Sequence, residues 1–232
     1  MSKPHSLAIS KLSGGYGDVT VIRDVSLTVE PGKIVFVTGR NGVGKTTLIK
    51  LIAGQLAAQS GNILFGERDM RAEPPHARRA IGIGYAPQES VVFDDLSVRE
   101  NLTLQYRDRD LARYEALFAS FPRLRERRAQ RAGTLSGGEK KILSFCRAVA
   151  EDTQLVMLDE PTEGVQPENI ERMATHVATE AGKGRGFLIV EQNLGFAERL
   201  ADHAHVLDHG ACIFETPGGA DLRARLAERL AL

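Results

Sequence analysis

The chain has 232 residues, 42% apolar and 26% charged, which is ordinary for a globular protein with a sizeable core. Lys plus Arg and Asp plus Glu balance at 30 each, so no global basic field points to nucleic acid or to an anionic membrane. No apolar run approaches the ~20 residues of a bilayer-spanning helix, and residues 1–5 carry no apolar leader core, so any membrane role is expected to be peripheral. Cys146 and Cys212 form no CxxC pair and read as two buried thiols of a reducing compartment.

Residues 7–33 alternate in the β manner in Leu7-Ala8-Ile9, Val19-Thr20-Val21-Ile22 and Val25-Ser26-Leu27-Thr28-Val29, punctuated by turns at Gly14-Gly15 and Pro31-Gly32. Ile34-Val35-Phe36-Val37-Thr38 is a short β-branched, apolar run predicted to be a buried strand. It runs into Gly39-Arg40-Asn41-Gly42-Val43-Gly44-Lys45-Thr46, the spacing Gly-x4-Gly-Lys-[Ser/Thr] of a phosphate-binding loop. Beyond Thr46, Leu48, Ile49, Leu51, Ile52 and Leu56 recur at helical spacing. A strand, a glycine-rich turn and a helix N-terminus make an anion site: backbone N–H groups close on phosphates and the helix end adds partial positive charge. In such a site Lys45 reaches the β- and γ-phosphates and the Thr46 hydroxyl sits on Mg²⁺.

Ser60-Gly61 is expected to end the next segment, with Asn62-Ile63-Leu64-Phe65 opening a strand. Glu73-Pro74-Pro75-His76 reads as a break before a run over 80–85 that leads into Ala86-Pro87-Gln88. From about 93 to 150 the spacing turns helical, with Pro122 as a break. Residues 107–131 hold eight Arg against four Asp or Glu; without a nucleic-acid reader motif they read as a solvated helical face.

Gln154-Leu155-Val156-Met157-Leu158-Asp159-Glu160 is a second buried strand ending in two acids. Beside a phosphate loop, Asp159 is placed to hold Mg²⁺ and Glu160 to accept a proton from water attacking a γ-phosphate. Taken alone, Asp159-Glu160-Pro161-Thr162 is equally a strand-ending acidic turn. A helix over about 167–181, a strand over 186–190, Glu191-Gln192-Asn193 and another helix follow. A hairpin turned at His209-Gly210 and an amphipathic helix from 219 close the chain. Upstream, Leu135-Ser136-Gly137-Gly138-Glu139 before a helical run is a second anion cradle at a helix N-terminus, or a plain loop and N-cap.

In this order and combination the chain resembles ATP-binding-cassette (ABC) ATPases over essentially its whole length. The resemblance rests on the phosphate loop at 39–46, Gln88, the signature at 135–139, and the 155–159 strand with Glu160. It implies an α/β P-loop NTPase (RecA-like) core with an antiparallel β subdomain and a helical subdomain, the last inserted at about 89–150 of a single ATP-binding domain over 1–232. The implied activity is ATP hydrolysis, with ATP and Mg²⁺ as cofactors. Tyr16 would stack on adenine, and Gly39, Asn41, Gly42, Gly44, Lys45, Thr46 and Thr47 would hold the nucleotide. Thr46, Gln88 and Asp159 would serve Mg²⁺, with Glu160, Gln192 and Gln88 catalytic. Cassettes of this family pair head to tail, so Ser136, Gly137 and Gly138 would serve the γ-phosphate held by a partner.

Two positions depart from the family pattern. Gln192 stands where a histidine is usual; its amide can donate a hydrogen bond but carries neither a proton nor a charge near neutral pH. Glu163-Gly164-Val165-Gln166 stands where the D-loop often ends in Asp, which leaves its part in a dimer interface open. His203, His205 and His209 do not replace the missing histidine, and a metal site among them is not the expected reading. The strings at 160–167, 190–193 and 39–45 resemble the smaller ATPase subunit of bacterial branched-chain amino-acid importers, and equally that of urea and short-chain amide importers. That implies a second, different ATPase subunit, membrane permeases and, indirectly, a periplasmic binding protein as partners, no nucleic acid, and a place at the cytoplasmic face of the inner membrane. One alternative is a soluble ABC ATPase of DNA repair, translation or cofactor assembly, which the single cassette and neutral charge disfavour. Another is a low-turnover nucleotide-responsive subunit, suggested by Gln192 and opposed by Glu160.

Overall fold

The computed structural model describes residues 4–89 and 92–231. Residues 1–3, part of the N-terminal stretch read above, and residues 90–91, at the expected start of the helical subdomain, lie outside them. The alternating stretches pair as β1 (Leu7–Tyr16) and β2 (Val19–Val29), and β3 (Ile34–Thr38) follows the Pro31-Gly32 turn. Then come α1 (Lys45–Ala53), β4 (Ala58–Phe65), the two-residue β5 (Arg68–Asp69), α2 (Pro75–Ala80) and β6 (Ile83–Ala86). Helices α3 (Val98–Thr103), α4 (Glu115–Ser120), α5 (Pro122–Glu126) and α6 (Gly137–Val149) separate β6 from β7 (Leu155–Asp159). α7 (Pro167–Gly182), β8 (Gly186–Val190), α8 (Leu194–Leu200), β9 (His203–Asp208), β10 (Ala211–Pro217) and α9 (Leu222–Leu230) complete the chain.

Two sheets result, a four-stranded antiparallel one in the order β2-β1-β4-β5 and a six-stranded one in the order β10-β9-β3-β8-β7-β6. The larger sheet is parallel from β9 to β6, and only β10 runs against its neighbour. Its central strands are buried on both faces, which is why the sequence shows them as unbroken apolar runs. Alternate residues divide between two cores. Phe36, Val156, Leu158, Phe187 and Ile189 pack with Phe145 of α6, Met173 and Val177 of α7 and Phe196 of α8. Val35, Val37, Met157, Leu188 and Val190 pack with Leu48, Ile49 and Ile52 of α1 and with Leu7, Ile9 and Ile63 of the small sheet.

Three local expectations change. Ser60-Gly61 does not end a segment; both lie within β4, where β1 crosses it through a register shift. Gly61 has φ +86, and a Cβ there would sit 2.2 Å from the Lys11 carbonyl oxygen, so glycine marks a close strand approach rather than a stop. Pro75 lies not in a plain break but at the start of α2, where the missing N–H costs nothing; Pro122 does separate two helices, α4 and α5, and opens the second in the same way. Cys146 is fully buried as expected, but Cys212 is only partly so. In the arginine-rich stretch, Arg113 lies over the Tyr106 ring, Arg125 pairs with Glu115, and Arg123 and Arg127 pair with Glu139. These local partners fit a solvated face.

The two ends of α1 are treated oppositely. Gly44 caps its N-terminus in the left-handed region at φ 109, with no side-chain cap and no acid in the first turn. At the other end the buried Arg78 guanidinium donates to the Leu51 and Ile52 carbonyls at 2.9 and 2.7 Å, which complements the negative end of the helix. Replacing Arg78 with Ala removes that donor from both buried carbonyls and leaves Leu51 with the Gly54 N–H alone. It is expected to cost about 2–4 kcal/mol in urea unfolding; a change below ~0.5 kcal/mol would contradict this role.

Candidate active site

The strand register brings the candidate residues together. Val190 of β8 lies opposite Val37 of β3 on one side and opposite Asp159 of β7 on the other. The segments that leave the carboxyl ends of these strands, beginning at Gly39, Glu160 and Glu191, therefore converge at one edge of the sheet, the usual ligand crevice of such folds. In the phosphate loop, Lys45 is almost fully buried, and its Nζ donates to the Gly39 and Arg40 carbonyls at 2.9 Å each. The same ammonium lies 3.6 Å from Glu160 Oε1. Thr46 Oγ1 lies 3.2 Å from both Asp159 Oδ1 and Gln88 Oε1. Tyr85 OH donates to the other Asp159 oxygen at 3.4 Å.

Three side-chain oxygens thus face one another with no nitrogen or sulfur ligand among them. Such a set suits a hard divalent cation. Asp159 supplies an independent sign: burial pushes its carboxyl up to about 6, helped by the negative charge of Glu160 and opposed by the Thr46 hydroxyl and the Lys141 charge.

Glu160 sits at φ +46, a left-handed conformation that a non-glycine residue adopts only when its surroundings hold it there. Its carboxylate is ordered by amides from two loops. Gln88 Nε2 donates to Oε2 at 2.8 Å, and Gln192 Nε2 donates to Oε1 at 2.9 Å. The Gln192 amide also donates to Asn41 Oδ1 at 2.5 Å and so links the loop after β8 to the phosphate loop. Gln192 therefore stands at the site, with its amide on the acid rather than remote from it.

Tyr16 ends β1 opposite Val19, and its ring is half exposed. This hairpin lies against the phosphate loop, since Val21 and Ile22 are the side chains nearest Gly44. The Ser136, Gly137 and Gly138 cradle is built separately. Ser136 caps α6 in a capping box: its hydroxyl accepts from the Glu139 N–H at 3.3 Å, and Glu139 accepts from the Ser136 N–H at 3.0 Å. A cleft of about 680 Å³ opens beside it, lined by Leu135, Ser136, Gly137, Gly138 and Glu163 among others. Among the described residues, no hydrogen bond joins this cradle to residues 39–46.

Residues 22–163 match the profile of the ABC transporter family. The chain belongs to that family. Over 218 residues this ABC ATPase is 35% identical to the high-affinity branched-chain amino acid transport ATP-binding protein BraG of Pseudomonas aeruginosa, covering 92% of this chain and 94% of that one. It is 33% identical over 227 residues to the probable branched-chain amino acid transport ATP-binding protein LivF of Archaeoglobus fulgidus, covering 96% of each. It is also 36% identical over 219 residues to the lipopolysaccharide export system ATP-binding protein LptB of Escherichia coli, covering 90% and 89%. A nucleotide-free ATP-binding cassette from an ABC transporter superposes with a TM-score of 0.82 at 26% identity over 98% of this chain and 97% of the other. The chain is an ATP-hydrolysing ABC transporter subunit with the fold of such cassettes. Among the described residues, no helix is long and apolar enough to cross a membrane.

Two residues of this ABC ATPase matter at the site although the sequence reading passed over them. The buried Glu191 accepts from the Thr162 N–H and hydroxyl at 3.0 and 2.7 Å, and from the Gln192 and Asn193 N–H groups at 2.8 and 3.2 Å. It locks the loop that carries Gln192 to the loop that follows Glu160. Lys141 of α6 donates to the Gln88 and Glu160 carbonyls at 2.9 and 3.0 Å and lies 3.6 Å from Glu163. The signal for Glu191 was its place between a buried strand and a helix. Lys141 gave none, because its partners are backbone groups distant in sequence.

Proposed function

We propose that this ABC ATPase drives an importer of branched-chain amino acids or of urea and short-chain amides, hydrolysing ATP between paired cassettes. The observation that carries the pairing is the inequality of the two cradles. One has a lysine within its loop, Lys45, with Asp159 and Glu160 beside it; the other has Ser136, Gly137 and Gly138 on a cleft whose Lys141 is bound to the Gln88 and Glu160 carbonyls and whose Glu139 is held in the capping box. Each becomes useful when it faces the other kind on a second cassette.

In this reading the phosphate loop binds the triphosphate through its N–H groups, and Lys45 exchanges the Gly39 and Arg40 carbonyls for phosphate oxygens. Thr46, Asp159 and Gln88 would hold Mg²⁺, which supplies neutralisation of the β- and γ-phosphate charge. Glu160 takes the proton of a water as its oxygen attacks the γ-phosphorus; the bond to the bridging oxygen breaks, releasing ADP and phosphate. Gln88 and Gln192 orient that carboxylate, and Tyr16 stacks on the base. Closure is driven by ATP because the ligand gains contacts with both chains only in the closed pair. The permease is proposed to dock in the groove of about 430 Å³ lined by Pro75, Arg79, Phe93, Leu104 and Gln105, where Phe93 and Leu104 expose more than half their surface. This arrangement puts the subunit at the cytoplasmic face of the inner membrane.

The names of the BraG and LivF relatives support amino-acid import, and the resemblance of residues 160–167 and 190–193 points the same way. The LptB relatives favour a second reading, service of an exporter. Co-purification with the permeases, followed by ATPase assays in vesicles loaded with branched-chain amino acids, urea or amides outside and a matching binding protein, separates them. Stimulation by one of these solutes is expected; stimulation by none would overturn the importer reading. A further expected outcome concerns Gln192. Since its amide only orients Glu160, Gln192→His keeps a donor there and leaves hydrolysis equal or higher. A tenfold loss would instead assign the amide bridge to Asn41 a role of its own.

A further inference from the structure

The three histidines near the C-terminus part company in the folded chain. His209 projects into solvent at the turn, whereas His203 and His205 share one face of β9, and Glu215 lies opposite His205 on β10. One ligand atom from each of His203, His205 and Glu215 lies within 4.8 Å of the others. Both ring nitrogens of His203 are shielded from solvent, and neither has a hydrogen-bond partner among the described residues. Two shielded, idle nitrogens on the ring of a half-buried histidine need an explanation, and an ion at that point is one of the few available.

The spacing fits such an ion. His205 Nδ1 lies 3.7 Å from Glu215 Oε2 and 3.6 Å from Cys212 Sγ. Metal–ligand bonds of about 2.0–2.3 Å give tetrahedral edges of about 3.3–3.8 Å, so both separations are edges of a tetrahedral site. Two imidazoles and one carboxylate form a donor set suited to a borderline-soft ion and poorly suited to Mg²⁺ or Ca²⁺, with the Cys212 thiol beside His205 alone. Glu215 is 69% exposed along its side chain, so an entry path from solvent is open.

We propose that His203, His205 and Glu215 bind a divalent transition-metal ion of the Zn²⁺ class. The ion would cross-link β9 to β10. At the tip of that hairpin, the Gly210 N–H donates to the Val43 carbonyl of the phosphate loop at 3.0 Å, and the Gly210 carbonyl accepts from the Arg23 N–H at 2.8 Å. Metal binding would therefore stiffen the strands on which the phosphate loop leans. This site is separate from the oxygen cluster at Thr46 and Asp159 and does not rest on the reading of that cluster.

The test is equilibrium dialysis of the nucleotide-free full chain against Zn²⁺ with excess Mg²⁺, followed by metal analysis and thermal melting. Mg²⁺ competes at an all-oxygen site but not at one built on imidazoles. The wild type is expected to retain one Zn²⁺ per chain and to melt at a higher temperature with it. His203→Gln and Glu215→Gln are expected to lose at least tenfold in Zn²⁺ affinity and the melting shift; Glu215 is exposed, so its variant folds even if the His203 variant does not. Thr46→Ala is expected to retain the ion. Retention by Glu215→Gln at wild-type affinity, loss in Thr46→Ala, or no Zn²⁺ on the wild type would each overturn the proposal.

Discussion

Glu160→Gln is expected to lower steady-state ATP hydrolysis by about 10²–10⁴-fold while ATP remains bound. The Glu160 carboxylate is the acid that both site amides hold, with Lys45 3.6 Å away, whereas the Asp159 carboxyl faces Thr46 and Tyr85. Gln192 replaces a titratable ring, and the Glu191 carboxylate next to it already accepts from Thr162 and from the Gln192 and Asn193 N–H groups. The replacement amide is nearly isosteric, so the phosphate loop, with its Lys45 bonds to Gly39 and Arg40, is left in place. The separation of the two effects is the useful readout. Nucleotide affinity within about threefold of the wild type with turnover at background supports the assignment; turnover at the wild-type rate removes Glu160 from the chemistry.

Much of this arrangement was legible in the sequence because its elements are local. The unbroken apolar runs at 34–38, 155–159 and 186–190 could only be strands buried on both faces, and each of these three parallel strands carries site residues just past its end. The glycine spacing at 39–44 and the Ser136-to-Glu139 capping box are likewise complete within a few residues. What escaped was set by partners far along the chain. Gly61 looked like a terminator because the Lys11 carbonyl it accommodates is 50 residues earlier. Gln192 looked only like a missing histidine, yet its amide bridges Asn41 and Glu160, contacts that depend on strand order β3-β8-β7. Lys141 carried no signal, since a lysine on an amphipathic helix is ordinarily solvated and its acceptors here are carbonyls of two other loops. His203 and His205 gained Glu215 only when β10 folded back on β9 with a register shift after Cys212.

The second large effect is expected at the cradle that does not touch its own phosphate loop. Gly137 is the first residue of α6, and a Cβ added there meets nothing within 4 Å. Gly137→Asp should therefore fold, and a carboxylate in the first turn favours the helix. The same charge would face the γ-phosphate of a partner's ATP and remove the cradle's stabilisation of the transition state, a loss of about 10²–10³-fold in hydrolysis. Lys45→Ala is the contrasting variant, since it strips the cation from the loop that binds the nucleotide.

In the proposed mechanism the two cradles serve different nucleotides, and one measurement addresses that directly. ATP affinity is determined for the isolated wild-type chain, Gly137→Asp and Lys45→Ala, and hydrolysis for the same three in the assembled transporter. Unchanged affinity with collapsed hydrolysis for Gly137→Asp, beside lost affinity for Lys45→Ala, is the predicted result. A Gly137→Asp chain that in isolation loses ATP as fully as Lys45→Ala would place both cradles on one nucleotide and contradict the half-site.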